Sequence, residues 1–213
     1  MKRDMIYLIV FLIGLLPQNL QAADMIRFQA VTDSSSRIRI DGTSTLHDWT
    51  VISQVAGGYI EMAAYVWDGA LFNETSMSDT AVVPATVHVE IPVLSLQHDE
   101  DNDGLEENMY KALKSKEHPA ITYHLTIGRR LPSTSMEKVR VVGSGNLTIA
   151  GFSRYIDLTI DLIRMSDNRL KVVGETSLKM TGYHIKKPKA MLGMIRTGDE
   201  VTIRFEWVTE RSK

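Results

Sequence analysis

The stretch Gly143 to Leu162, GSGNLTIAGFSRYIDLTIDL, decides the fold. In its second limb Ile156, Leu158, Ile160 and Leu162 fall on one side of an extended chain and Tyr155, Asp157, Thr159 and Asp161 on the other, the two-residue period of a strand with one buried face. The first limb closes on Leu147-Thr148-Ile149, and Ala150-Gly151 between the limbs places a glycine where a tight turn needs one. The whole stretch reads as a half-buried β-hairpin.

The same alternation recurs on both sides of it. Ile38 and Ile40 alternate with Arg37, Arg39 and Asp41, and Val87, Val89 and Ile91 with His88 and Glu90. Ile121, Tyr123, Leu125 and Ile127 oppose Thr122, His124 and Thr126, while Val201, Ile203, Phe205 and Trp207 oppose Thr202, Arg204 and Glu206. Weaker strand candidates are Trp49 to Gln54, Gly58 to Tyr65, Val139 to Ile149 and Leu170 to Met180, the last with Gly174 where a bulge or bend is expected. Short alternating runs of this kind, about eight or nine of them joined by short loops, predict an all-β sandwich or barrel.

Only one stretch predicts a helix. Asp103 is followed three residues later by Glu106 in a capping-box arrangement, Leu105, Met109 and Leu113 share one stripe, and Lys111, Lys114 and Lys116 stand near the end that favours cations. Pro119 ends it. No internal repeat or linker interrupts the pattern, so one domain is predicted. An antiparallel sheet with one apolar face must cover it with a second sheet or by curling closed, and patterning leaves both open. If about eight strands close, the interior holds either a filled core of side chains or one elongated ligand.

The N-terminus predicts a secretory signal: Lys2 and Arg3, then the uncharged apolar run Met5 to Leu16, then Leu20-Gln21-Ala22 as a small-residue cleavage site. The expected division is a signal peptide over 1–22 and a mature domain over 23–213, exported to the periplasm. Loss of Lys2, Arg3 and Asp4 takes the formal charge of -2 to -3, with acids and bases interspersed. Without a basic stripe to neutralise phosphates, nucleic-acid binding is not expected. With no cysteine, a lipoprotein anchor, a disulfide framework and a thiol-held cluster are all excluded.

The hairpin residues Gly145, Leu147, Thr148, Ile149, Gly151, Ser153 and Arg154 resemble the signature of the YceI-like polyisoprenoid-binding family. Further similarities are NMYKALKSKEHPAIT at Asn108 to Thr122, matching a helix and proline-marked strand entry, GDEVTI at Gly198 to Ile203, matching a final turn and strand, and DGTSTLHDW at Asp41 to Trp49. Trp67 to Pro84 aligns with nothing in that pattern. The resemblance implies a lipocalin-like antiparallel β-barrel of about eight strands with one short helix, binding a long isoprenoid tail without catalysis. It carries over no individual ligand residue. The inward candidates are those that alternation supplies: Ile38, Ile40, Val87, Val89, Ile121, Tyr123, Leu125, Leu147, Ile149, Ile156, Leu158, Ile160, Val201, Ile203 and Phe205. Such a lining gains roughly 0.8 kcal/mol for each buried methylene without any polar contact. The competing expectation is a structural or protein-interaction barrel whose same residues fill a dry core.

Other chemistry is weakly supported. Ser44, His47 and Asp48 are the residue types of a hydrolase triad, but they are crowded into one turn and lack a nucleophile elbow, so a polar turn leading into Trp49 is expected. The six histidines, His47, His88, His98, His118, His124 and His184, show no metal-ligand spacing, and neither a metal nor a cofactor is predicted. Asp99-Glu100-Asp101-Asn102-Asp103-Gly104 reproduces the first half of a calcium loop, but Tyr110 stands where the bidentate glutamate belongs, so a solvated acidic loop is the expectation. The loop YHIKKPKAMLGMIR at Tyr183 to Arg196 mixes lysines with Met191 and Met194, mouth candidates able to meet an apolar tail and, transiently, an anionic membrane surface.

Overall fold

The computed structural model describes residues 24–72, 81–98, 103–132, 138–187, 189–190 and 195–212. The signal segment, the run Asp99 to Asn102, and both Met191 and Met194 lie outside them.

Alternation becomes thirteen strand segments. They are β1 (Met25–Ala30), β2 (Arg37–Ser44), β3 (Trp49–Ser53), β4 (Gly57–Ala63), β5 (Val82–Val83), β6 (Ala85–Pro92), β7 (Gln97–His98), β8 (Ala120–Arg130), β9 (Lys138–Ile149), β10 (Phe152–Ser166), β11 (Arg169–Lys179), β12 (Lys189–Ala190) and β13 (Ile195–Arg211). The order β1-β4-β6-β8-β9-β10-β11-β13 returns to β1 through Phe28↔Arg211, Gln29↔Glu210 and Ala30↔Thr209, so the sheet closes into an eight-stranded antiparallel barrel. Closure removes the exposed edges of an open sheet.

Three of the eight runs are broken. β1 and β2 lie end to end against β13, which pairs with β1 over Thr209 to Arg211 and with β2 over Thr197 to Glu206. β4 and β3 follow β1 and β2 in the same way, as do β6 and β7. The β1 segment, with Ile26 and Phe28 buried, was not foreseen by a pattern read only from Arg37 onward.

The opening hairpin forms as its sequence requires. Ile149 pairs with Phe152, leaving Ala150 (φ 51) and Gly151 (φ 83) as a two-residue turn with both central residues left-handed, which matches the strand twist. Glycine is also required sterically, because a Cβ at 151 would come within 2.3 Å of the His118 ring.

Two local expectations are corrected. Ile127 does not share the inward face of Ile121, Tyr123 and Leu125: a register shift between Leu125 and Ile127 turns it outward, 38% exposed, and brings Gly128 and Arg130 inside. Gly174 marks no bulge, since β11 pairs with β13 without interruption from Arg169 to Lys179. The capping box expected of Asp103 and Glu106 rests on the Asp103 side chain, which lies outside the described residues; the Glu106 carboxylate accepts from the amide of His98 at 3.1 Å, tying α1 (Asp103–Ala112) to β7.

Candidate functional site

Among the described residues, one end of the barrel is covered by buried side chains and the other carries the rim of a cavity. After β4 the chain folds into a short π-helical turn, Val66–Ala70, followed by Leu71 and Phe72. Val66, Trp67, Leu71 and Phe72 are buried there. Trp67 packs against Phe28 with ring centroids 4.5 Å apart and the planes tilted by 57°, and meets Phe72 edge-on at 5.5 Å, while the Arg164 guanidinium lies 4.4 Å over its ring. Its indole N–H donates to the Asp167 carbonyl at 3.2 Å, which satisfies the one polar atom the plug buries. The described start of the unaligned segment, Trp67 to Phe72, therefore covers this end of the barrel.

The opposite end is assembled from the β2–β3 turn, α1, the β9–β10 turn and a 3-10 turn at Met180–Tyr183. Thr45 N–H donates to the Arg196 carbonyl (3.0 Å), and Thr181 is held by Asp199 through its amide (2.9 Å) and hydroxyl (2.7 Å), fixing this rim to the start of β13. Phe152 stacks on His184, with ring centroids 4.1 Å apart.

Between the covered end and the rim is a cavity of about 340 Å³. Its wall includes Ile38, Ile40, Val87, Val89, Ile121, Tyr123, Leu125, Leu147, Ile149, Leu158, Ile160, Val201, Ile203 and Phe205, fourteen of the inward candidates brought together on one surface. Ile156 shares the strand face but does not reach the wall, being half-buried near the rim opposite Gly145. Polar groups collect at the rim: Ser44, His47, His98, Asn108 and Thr197. Deeper, the Tyr123 hydroxyl donates to the Gly143 carbonyl at 2.9 Å, and burial pushes its phenol well above the usual tyrosine range, so it stays neutral.

Some wall residues escaped sequence reasoning. Leu105, Met109, Ala112 and Leu113 of α1 face the cavity, so the apolar stripe read as helix packing also forms part of the site. Trp49 also lines the wall, and Trp207 does so as the alternation of its strand implies, its indole N–H donating to the Ala56 carbonyl at 3.2 Å. The amphipathic period of the helix was the signal for its wall residues.

The Ser44, His47 and Asp48 group makes a turn. The Ser44 hydroxyl donates to the His47 carbonyl (2.7 Å) and accepts from the amides of Leu46 and His47 (3.2 Å each). The His47 Nδ1–H is directed to the Asp48 carbonyl at 2.7 Å, so the side chain orients on backbone rather than on Ser44.

A sequence model of the YceI-like domain matches residues 43–209. No curated protein matches the chain. Among solved structures, a polyisoprenoid binding domain from Saccharophagus degradans implicated in plant cell wall breakdown superposes with a TM-score of 0.59 at 14% identity, covering 89% of this chain and 100% of that one. BcnA of Burkholderia cenocepacia superposes with a TM-score of 0.57, also at 14% identity, covering 81% of this chain and 95% of its own. At that identity these likenesses concern the barrel fold. The match over 43–209, which includes the signature hairpin, α1 and all of the cavity wall except Ile38 and Ile40, shows that the chain belongs to the YceI-like family.

Proposed function

We propose that this protein binds and carries a polyisoprenoid or similar long-chain lipid, noncatalytically, in the bacterial periplasm after removal of residues 1–22. The observation that carries the reading is the cavity wall: it is apolar almost throughout, with Tyr123 and Thr176 as its deeper polar groups and Ser44, His47, His98, Asn108 and Thr197 gathered at the rim, away from the end that buries Trp67. A long hydrocarbon tail enters such a space end first and leaves its head at Ser44, His47 and Asn108. The volume of about 340 Å³ stands at the small end of ligand pockets, which run from roughly 300 to 1,000 Å³. A tail of a few isoprene units thus suits the described interior. The likeness to the polyisoprenoid binding domain of Saccharophagus degradans supports the same class of ligand.

Loading requires the rim to meet a lipid source. Leu46 is 67% exposed in the β2–β3 turn, and Phe152 is partly exposed at the β9–β10 turn with Lys114 5.0 Å from its ring; Lys186 and Lys187 are exposed after the 3-10 turn at Met180–Tyr183. Apolar tips ringed by cations suit transient contact with an anionic bilayer.

Native mass spectrometry of the protein purified from its own cell envelope, with organic extraction of bound material, tests the function. A stoichiometric isoprenoid or long-chain lipid is expected. A consistently empty protein that also fails to take up a polyprenyl probe from anionic vesicles would leave the structural or protein-interaction barrel as the better reading.

A further inference from the structure

The outer wall of the barrel carries an arrangement that the cavity does not use. Register places Tyr59 of β4, His88 of β6, His124 of β8 and Asn146 of β9 in one row across four neighbouring strands. The six histidines look dispersed in sequence, yet the fold sets two of them side by side. His88 Nδ1 and His124 Nε2 are 3.1 Å apart, with ring centroids at 4.3 Å and the ring planes inclined by 33°.

That separation suits two ligands of one metal ion. Nitrogen–metal bonds of 2.0–2.1 Å put adjacent ligand atoms about 2.9 Å apart at a right angle and about 3.3 Å apart at a tetrahedral angle. In the hydrogen-bonded pair one of the two nitrogens carries the proton; once that proton leaves or moves to the ring's other nitrogen, small ring rotations on a fixed backbone would turn both lone pairs to a shared ion. The second nitrogen of His88 also has a suitable partner: its Nε2 lies 3.8 Å from Glu90 Oε2, two residues along on the same outward face. A ligating histidine commonly gives its remaining N–H to a carboxylate, which fixes its tautomer and strengthens the ligand. The Tyr59 ring closes the other side of His88 at 5.8 Å. His124 is exposed, so an ion has direct access from water.

We propose that His88 and His124 form a binding site for a divalent late transition metal, with Glu90 as the carboxylate that positions His88. Two imidazoles favour copper(II) over nickel and zinc. Among the described residues no group of three histidine, cysteine or carboxylate ligands assembles, so water completes the coordination and the ion exchanges freely. The ion would pin β6 to β8 beside Val87, Val89, Tyr123 and Leu125, all on the cavity wall. The site is independent of the lipid reading, because it needs only the outward face of the barrel.

The test is calorimetric titration of copper(II) into the mature chain in a non-coordinating buffer, with electron paramagnetic resonance of the one-to-one complex. One equivalent, in exchange with solvent, is expected, with two nitrogen ligands in the spectrum. His88→Gln and His124→Gln should each weaken it by at least about 30-fold, and Glu90→Gln by about tenfold, within the range for outer partners of a metal ligand. His184→Gln, on the distant rim, should leave it unchanged. Equal affinity in His88→Gln and wild type, or a single-nitrogen spectrum in the wild type itself, overturns the proposal and leaves a hydrogen-bonded histidine pair.

Discussion

Gly174 stands opposite Phe205 in the ladder between β11 and β13, and the phenylalanine ring fills the space that a side chain at 174 would take: a Cβ there would lie 2.4 Å from the ring's Cζ. The glycine is thus a recess in an unbroken strand. Gly174→Ala must push the ring toward the cavity, and overpacking of this kind costs about 1–3 kcal/mol. In a Phe205→Leu background the penalty should largely disappear. Urea denaturation of the two single variants and the double variant reads the coupling, and strictly additive effects would show that the two positions do not share this space.

Trp67 covers its end of the barrel with its ring and satisfies its only donor on Asp167. Trp67→Ala should destabilise the protein by about 3–5 kcal/mol, the range for deleting a large buried aromatic. Trp67→Phe keeps most of the contact area but loses the indole donor and should cost clearly less. Chemical denaturation of both variants checks the order; equal losses would assign the effect to the hydrogen bond alone.

Strand alternation made much of the wall legible in the sequence, because a side-chain period of two is fixed by the backbone and each apolar residue on the face must go inside a closed sheet. The same rule failed at Ile127, where one extra residue in β8 reverses the face that alternation alone would assign. Gly174 shows the converse: a glycine that looks like a kink serves a neighbouring ring. The covered end was unreadable because Val66 to Phe72 has neither a helical nor a strand period and is shaped by what it caps. His88 and His124 were invisible as a pair, since they are brought together by strand register and not by spacing.

Ile203 lies on the cavity wall, directly across the ladders from Thr176 and Ile40. Ile203→Asp would place a carboxylate in an apolar space without a partner, a change that costs several kcal/mol unless the group takes up a proton. The variant should lose thermal stability and any bound lipid together near neutral pH. Retained stability and retained lipid would mean that position 203 does not face the interior.

Asp161 receives Arg140 through two contacts, at 2.8 and 3.2 Å, and Lys138 at 2.7 Å on the outer wall. The Arg140 hydrogen bond, then that of Lys138 and the two positive charges, hold its carboxyl below the usual aspartate value in spite of partial burial. A carboxyl depressed in the folded state contributes stability that is complete above the unfolded value near 3.8 and is lost as pH falls through the folded value. Asp161→Asn should therefore melt below wild type at pH 6, with the gap narrowing as pH falls under 3.8. Melting curves across that range check it; a gap that widens in acid would reverse the sign of the interaction.

The last prediction concerns Ser44 and His47, which line the rim and carry hydrolase residue types. A serine nucleophile needs its hydroxyl proton directed at a histidine nitrogen, whereas here the Ser44 hydroxyl donates to the His47 carbonyl and the His47 Nδ1–H to the Asp48 carbonyl. Both side chains are thus spent on holding the turn that leads to Trp49, whose own indole N–H donates to the Thr43 carbonyl at 3.0 Å. A serine-directed phosphonate should leave wild-type protein unlabelled. Ser44→Ala with His47→Ala should lower stability by only about 1 kcal/mol, as for loss of a capping-type hydroxyl, and should leave lipid occupancy near wild type because neither residue supplies much apolar area. Labelling at Ser44 with esterase turnover, abolished in the double variant, would make the rim a catalytic site and set aside the reading of a passive carrier.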